Sequence, residues 1–89
     1  MNAIITVVGK DGKGIIAAVS AKCAEVGANI VEISQSVLKD YFAMIMLVEI
    51  DSLTIDFATF AGNFKKVGEE NGVDIRVMHE DIFNTMHRI

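Results

Sequence analysis

The chain of 89 residues has no proline and no tryptophan, and only one cysteine and one tyrosine. A single cysteine, Cys23, excludes an internal disulfide and any Cys-x-x-Cys metal or redox site. No apolar run approaches the ~20 residues that a membrane-spanning helix needs. Residues 1–10 also lack the basic start of a signal peptide. We therefore expect a cytoplasmic protein with a reduced cysteine.

Positive charge is also scarce in this sequence. Eight Lys and Arg residues stand against twelve Asp and Glu residues, which gives a formal net charge of −4. Non-specific binding to nucleic acid needs cationic side chains that displace counterions from phosphates. Binding to an anionic membrane surface needs the same kind of charge. We therefore expect neither nucleic acid nor a membrane as a direct partner.

Apolar residues, by contrast, are plentiful at 52% of the sequence. A chain of this length forms one domain and buries only about 60–65% of its unfolded surface. The surplus of apolar side chains predicts a partner surface, most simply for a second copy of the same chain. We therefore expect a homodimer or a higher homo-oligomer.

The hydrophobic pattern predicts the order strand, helix, strand, strand, helix, strand. An apolar stripe with helical spacing runs from Ile15 to Val26 and ends at Gly27, and a second one begins at Phe57 and stops at Asn71-Gly72. Residues 51–54 contain side chains of the types that cap helices. A short helix is expected in the tail over residues 80–89, with its apolar face formed by Ile82, Phe83, Met86 and Ile89. The strands are expected over residues 3–8, 29–38, 41–50 and 73–77.

The burial pattern of the four strands predicts their order in the sheet. The first and third strands are apolar on both faces and should be central, whereas the second alternates between apolar and polar residues. A tight turn at Lys39-Asp40 pairs the second strand with the third. With right-handed crossovers, the order is then 4-1-3-2. This predicts an α+β fold, the antiparallel ferredoxin-like βαββαβ plait, with two helices on one face and the other face in need of cover.

The turn between the first strand and the first helix is rich in glycine and runs Gly9-Lys10-Asp11-Gly12-Lys13-Gly14. Backbone N–H groups at a helix N-terminus favour an anion there. The spacing matches neither GxxxxGK[ST] nor GxGxxG, so nucleotide binding is disfavoured. Two interpretations remain open, a tight turn imposed by backbone geometry and a site for a small anion such as a carboxylate. A second turn, Gly27-Ala28-Asn29-Ile30, follows the same helix.

The sequence offers no catalytic or metal-binding constellation. Asp11 has no nucleophile or second acid nearby, and its alternative role is a local hydrogen bond to the turn backbone. His79-Glu80-Asp81 and His87 invite a metal, but a helix from residue 80 would place His87 well over a turn away. Cys23 lies in an apolar stripe, where a core role is favoured over a reactive one. We expect no catalytic residue, no metal and no cofactor.

Four features taken together resemble the ACT domain family. They are the plait topology, the turn Asp11-Gly12-Lys13-Gly14-Ile15, the helix that ends at Gly27, and the entry Asn29-Ile30 into the second strand. The resemblance covers the chain from Asn2 to about His79. It implies an ACT domain over residues 1–79 with an additional helical tail over 80–89. The chain is similar to small stand-alone ACT proteins and to half of the tandem-ACT repressor of the glycine cleavage system.

The resemblance implies a non-catalytic regulatory module that binds a small ligand, an amino acid, at a homodimer interface. The implied ligand-binding residues are Asp11, Gly12, Lys13, Gly14, Ile15, Asn29 and Ile30. In serine-sensing members, His stands at the position of Gly9 and Pro often stands at that of Lys13, so the ligand's identity stays open. The N–H groups near residues 12–15 would hold the carboxylate and Asp11 the ammonium group.

Three other functions compete with this one. The first is a ligand-free interaction module that dimerises and acts on a metabolic enzyme or regulator through its tail. An acylphosphatase would need Arg in the first turn, which carries Lys10 and Lys13 instead. An RNA-binding plait would need exposed aromatic residues on its central strands, and the first strand has none.

Overall fold

A computed structural model of the protein describes residues 1–10 and 12–86. Its strands and helices follow the predicted order, and a seventh element, a short helix, extends the chain beyond the plait. The elements are β1 (Asn2–Gly9), α1 (Ile15–Val26), β2 (Asn29–Leu38), β3 (Tyr41–Glu49), α2 (Phe57–Asn71), β4 (Asp74–His79) and α3 (Glu80–Met86).

The four strands form one antiparallel sheet in the order β2-β3-β1-β4. This is the predicted order 4-1-3-2 counted from the other edge, so the ferredoxin-like plait is confirmed. Leu38 pairs with Tyr41 across the predicted hairpin. Lys39 has a positive φ of 55° in the turn, a backbone conformation that residues with a β-carbon rarely adopt.

The core lies between the sheet and the pair α1 and α2. Successive side chains of a strand point to opposite faces of the sheet, so every second residue of β1 and of β3 points into the core. There these side chains pack against the apolar stripes of the two helices. The fully buried side chains include Phe60 and Phe64 on α2, whose rings pack edge to face with centroids 5.0 Å apart. Both helices therefore cover the same face of the sheet, as predicted.

Helix α2 begins later than the polar run at residues 51–54 suggested. Its N-cap is Asp56, whose carboxylate accepts a hydrogen bond of 2.7 Å from the N–H of Thr59. Leu53 and Ile55 are partly buried against the core. The segment that contains them is not helical, and α2 begins only after it, at Phe57. The expectation of a cap within residues 51–54 was wrong, because packing of this segment takes priority over its capping propensity.

Strand β2 departs from the predicted half-buried pattern, because all ten of its residues are exposed. It forms an edge of the sheet, and the hydrophobic core draws residues from β1, β3 and β4 but none from β2. A register shift between Ile30 and Glu32 also removes Val31 from the regular alternation. The strand therefore has an unpaired edge and two faces open to solvent.

The sheet face opposite α1 and α2 receives partial cover from α3, which contacts β1 and β4. Ile4 on β1 is only 6% exposed beneath it, whereas Val8 at the other end of the same strand is 51% exposed. On α3 itself, Phe83 is half-buried but Ile82 and Met86 are exposed, so the predicted apolar face is only partly used. Ile89 lies outside the described residues. No helix in the described part of the chain has the length and apolar character to cross a membrane.

Candidate functional site

The first turn is fixed by close packing of its backbone against the core. A β-carbon built on Gly12 would lie 2.5 Å from the Phe42 ring, so no larger residue fits without a shift. Ile15, the first residue of α1, is fully buried. Gly14 is the N-cap and has a φ of 78°, a left-handed conformation that glycine adopts without strain.

The hydrogen bonds of this turn show which N–H groups at the start of α1 are already paired. The N–H of Ile15 donates to the carbonyl of Gly12 at 3.1 Å, so it is not available to a ligand. The N–H of Ala18 donates to the carbonyl of Gly14 at 3.1 Å and begins the regular helical ladder. Between them, the N–H of Ile16 has no carbonyl partner within the helix, because it belongs to the first turn. The start of α1 therefore presents an N–H donor at Ile16, next to the predicted residues 12–15.

Among the described residues, no side chain caps this end of α1. Its first turn contains no acidic residue, and Gly14 has no side chain that could accept from the N–H groups. Helix α2 differs in this respect, because Asp56 supplies a carboxylate to its own N-terminus. The partial positive charge of α1 is left without a carboxylate from the described residues, and an anion placed there would be stabilised.

Gly9, which precedes the first turn, is also restricted by packing. A β-carbon at this position would lie 2.5 Å from Cγ1 of Val73, the residue that precedes β4. A side chain at Gly9 would therefore clash with Val73 where the chain enters β4. Gly9 offers the site only backbone atoms.

The second turn is fixed at the opposite end of α1. Gly27 has a φ of 81° and ends the helix, and the N–H of Ala28 donates to the carbonyl of Cys23 at 2.9 Å. The N–H and the hydroxyl of Thr54 both donate to the carbonyl of Val26, at 2.9 Å and 3.1 Å. These bonds set the direction in which the chain enters β2, where Asn29 is exposed.

The two turns do not meet within one copy of the chain. Gly9, which precedes the first turn, pairs with Phe42 at one end of the sheet. Asn29 pairs with Glu49 at the other end. The 12 residues of α1 separate the turns by about 18 Å at 1.5 Å per residue. The predicted site residues thus form two half-sites, with Gly12, Lys13, Gly14 and Ile15 in one and Asn29 and Ile30 in the other.

Two of the residues singled out in the sequence, Asp11 and His87, lie outside the described residues. Lys13 is exposed on the first turn. Within residues 1–10 and 12–86, no three His, Cys, Asp or Glu side chains are grouped as a metal ion would need. His79 instead stacks on the ring of Phe57, with ring centroids 4.0 Å apart.

Cys23 is fully buried in the core, as its place in the apolar stripe predicted. Burial raises the pKa of its thiol from an ordinary 9.0 to about 11. Because the thiolate is the reactive form, this environment opposes nucleophilic chemistry at Cys23.

One concave feature was not predicted from the sequence. It is a hollow of about 200 Å³ between α3 and the sheet face that α3 partly covers. No pattern in the sequence indicates it, because its lining comes from three strands and one helix. The lining residues are Ile4, Glu32, Ser34, Ile45, Leu47, Glu80, Phe83 and Asn84.

Comparison with known proteins agrees with this architecture. A family model described as the ACT domain matches residues 2–78. A UPF0237 protein of Clostridium perfringens is 52% identical over 89 residues, and the match covers all of both chains. The solved structure of an ACT domain protein from Streptococcus pneumoniae superposes with a TM-score of 0.82 at 47% identity, covering 93% of each chain. A candidate glycine cleavage system transcriptional repressor gives 0.69 at 22% identity, over 86% of this chain and 44% of that one, which shows the fold alone.

Proposed function

This chain belongs to the ACT domain family, and on that premise we propose that it is a regulatory module that binds an amino acid between two copies of itself. The ligand's carboxylate lies at the N-terminus of α1 in one copy, and its remaining polar groups contact Asn29 of the other copy. The module is not an enzyme, needs no metal or cofactor, and acts in the cytoplasm on a metabolic enzyme or regulator.

The observation that carries this proposal is that no side chain from residues 1–10 or 12–86 caps the N-terminus of α1. Both helices of the plait pack on the same face of the sheet, yet among the described residues a carboxylate accepts from the free N–H groups of α2 and none does so at α1. A ligand carboxylate at α1 would take the place that Asp56 occupies at α2. Hydrogen bonds between backbone N–H groups and a carboxylate are charge-assisted and are stronger than neutral ones. We place the ligand's ammonium group beside Asp11.

The separation of the two turns supports a site shared between copies. A ligand the size of an amino acid cannot span about 18 Å along α1. Antiparallel pairing of two β2 strands would bring the Asn29 end of one strand beside the Leu38 end of the other. Leu38 pairs with Tyr41, next to Phe42 and the first turn, so this arrangement places the two half-sites at the same end of the joint sheet.

The edge of β2 is suited to such pairing. Its ten residues contain one charged side chain, Glu32, and no proline, whereas isolated sheet edges usually carry several charges or a proline. Apolar side chains on the strand are also exposed, including Val31 at 59% and Val37 at 74%. A second copy would pair the free backbone groups and bury these side chains together.

Isothermal titration calorimetry against each amino acid tests the binding. We expect saturable binding of at least one of them, and Asn29→Ala should weaken it about tenfold or more, as for loss of a hydrogen bond to a charged group. Asn63→Ala on α2 is the matched control and should leave the affinity unchanged. A dimeric protein that binds no amino acid would contradict the proposal.

Sedimentation equilibrium tests the shared site. Val37→Lys should place a charge on the pairing edge, convert the dimer to a monomer and abolish amino acid binding together with it. Met86→Lys introduces the same charge at an exposed apolar position on α3 and should change neither property. A Val37→Lys monomer with unaltered affinity would show that one copy holds the whole site.

A second candidate function is a ligand-free interaction module that docks on a metabolic enzyme or regulator. The observation in its favour is the uncovered part of the outer sheet face, where Val8, Tyr41 and Ile45 are each 46% exposed or more. This function predicts a blank amino acid screen and loss of partner binding in Ile45→Lys. The same variant should bind the amino acid normally under the first proposal.

A further inference from the structure

The hollow beneath α3 combines an apolar floor with polar walls. Ile4 on β1 and Leu47 on β3 are neighbours in the sheet and form the floor. Phe83 from α3 closes one side. The hollow is smaller than the roughly 300–1,000 Å³ of sites for drug-sized ligands, so it limits its occupant to a small molecule.

The charged residues that line this hollow are both acidic. Glu32 enters from β2, directly beside Leu47, and Glu80 enters from the start of α3. Within the part of the chain that the structure describes, the lining includes no Lys, Arg or His. The N-terminal ammonium group of Met1 forms an ion pair with Asp51 at 2.6 Å. The hydrogen bond to Asp51 raises the pKa of this ammonium group, and longer-range attraction to Glu80 raises it further. Ser34 and Asn84 add neutral hydrogen-bonding groups to the walls.

We propose that this hollow binds a small aliphatic amine that carries no carboxylate, with its ammonium group between Glu32 and Glu80 and its carbon chain on Ile4, Leu47 and Phe83. An ammonium group placed between the two carboxylates would make charge-assisted hydrogen bonds with them. Transfer of the carbon chain from water to the apolar floor adds to the affinity.

The same charges set the specificity of the hollow. A carboxylate on the ligand would face two acidic side chains, and none of the described lining residues is basic. Zwitterionic amino acids are therefore disfavoured here relative to simple amines. This site shares no residue with the amino acid site proposed above, so either proposal can fail without the other.

A titration followed by ¹H–¹⁵N correlation spectra of the full chain tests the proposal, with 1-aminopentane as the probe. We expect saturable shifts of the backbone signals of Glu32, Ser34, Leu47 and Asn84. Pentan-1-ol keeps the chain without the charge, and pentanoate reverses the charge, so both should shift these signals at least fivefold more weakly at equal concentration. Equal shifts with pentanoate, or shifts confined to other residues, would overturn the proposal.

Charge-removing variants complete the test. Glu80→Gln and Glu32→Gln preserve the shape of each side chain, and each should weaken 1-aminopentane binding about three- to tenfold, within the range for partly exposed charge pairs. Glu70→Gln on α2, an exposed residue far from the hollow, is the matched control and should have no effect. Unchanged affinity in Glu80→Gln and Glu32→Gln alike would overturn the assignment even if the probe binds.

Discussion

Gly12 lies against the ring of Phe42, so that a β-carbon on the glycine would come within 2.7 Å of Cγ, Cδ1 and Cδ2 of that ring. The contact joins the first turn to the core of the sheet, because Phe42 is buried on β3. Gly12→Ala should therefore destabilise the protein by about 1–3 kcal/mol, the usual cost of overpacking. Urea unfolding followed by circular dichroism measures the change.

The cause of that loss can be isolated with a second substitution. Phe42→Ala removes the Cγ, Cδ1 and Cδ2 atoms that lie next to Gly12, so Gly12→Ala should cost less in the Phe42→Ala background than in the natural protein. Equal costs in both backgrounds would place the effect in the backbone of the turn instead of in the contact with Phe42.

Gly62 is the opposite case, because a β-carbon at this position of α2 would meet open space. Glycine inside a helix loses more conformational freedom on folding than alanine does. Gly62→Ala should therefore stabilise the protein by about 0.5–1 kcal/mol. A higher urea midpoint with an unchanged slope would show it, whereas a lower midpoint would mean that this face of α2 is already in contact with something.

Asp56 makes part of the stability depend on pH. Hydrogen bonds from the hydroxyl and then the N–H of Thr59 hold the pKa of its carboxyl below the ordinary 3.8. Because the folded-state pKa is the lower one, the stabilisation is complete above pH 4 and is lost as the pH falls through the folded-state value.

Asp56→Asn isolates this contribution, since asparagine caps helices well but does not titrate. Unfolding free energies measured from pH 7 to pH 2 should fall less steeply in the variant than in the natural protein. Parallel curves would show that the Asp56 carboxylate gains nothing from its bond to Thr59.

Cys23 should react slowly in the folded protein. Its pKa of about 11, against an ordinary 9.0, leaves about a hundredfold less thiolate at pH 8, and burial blocks access as well. Alkylation with iodoacetamide at pH 8 should proceed at least a hundredfold faster in urea than in buffer. Since the folded-state pKa is raised, stability should also decline as the pH rises above 9. Comparable alkylation rates in both solvents would indicate that α1 opens readily.

Much of the fold follows from local patterns in the sequence. Lys39-Asp40 predicted the hairpin, and the two strands that are apolar on both faces proved to be central. The exposure of β2 could not be predicted, because its alternation shows what the strand could bury and says nothing about whether another element covers it. The N-cap of α2 was misplaced for a related reason, since the burial of Leu53 and Ile55 is a tertiary effect.

The candidate site was predictable in its parts and not in its arrangement. The glycines of the first turn and Asn29 are visible in the sequence, and the length of α1 already implies that they lie far apart. Which N–H groups remain available depends on the hydrogen bond from Ile15 to Gly12, a detail of the turn that no spacing encodes. The hollow beneath α3 depends on side chains from three strands and one helix, so only the folded chain reveals it.

Helix α1 acts as a spacer between the two turns, and this has a quantitative consequence. A ligand that contacts both half-sites must be shared by two chains, so its binding is tied to their association by mass action. The fraction of occupied sites would then rise with the concentration of the protein itself as well as with that of the ligand. A cell could thus adjust the sensitivity of the response by changing how much of this short chain it makes.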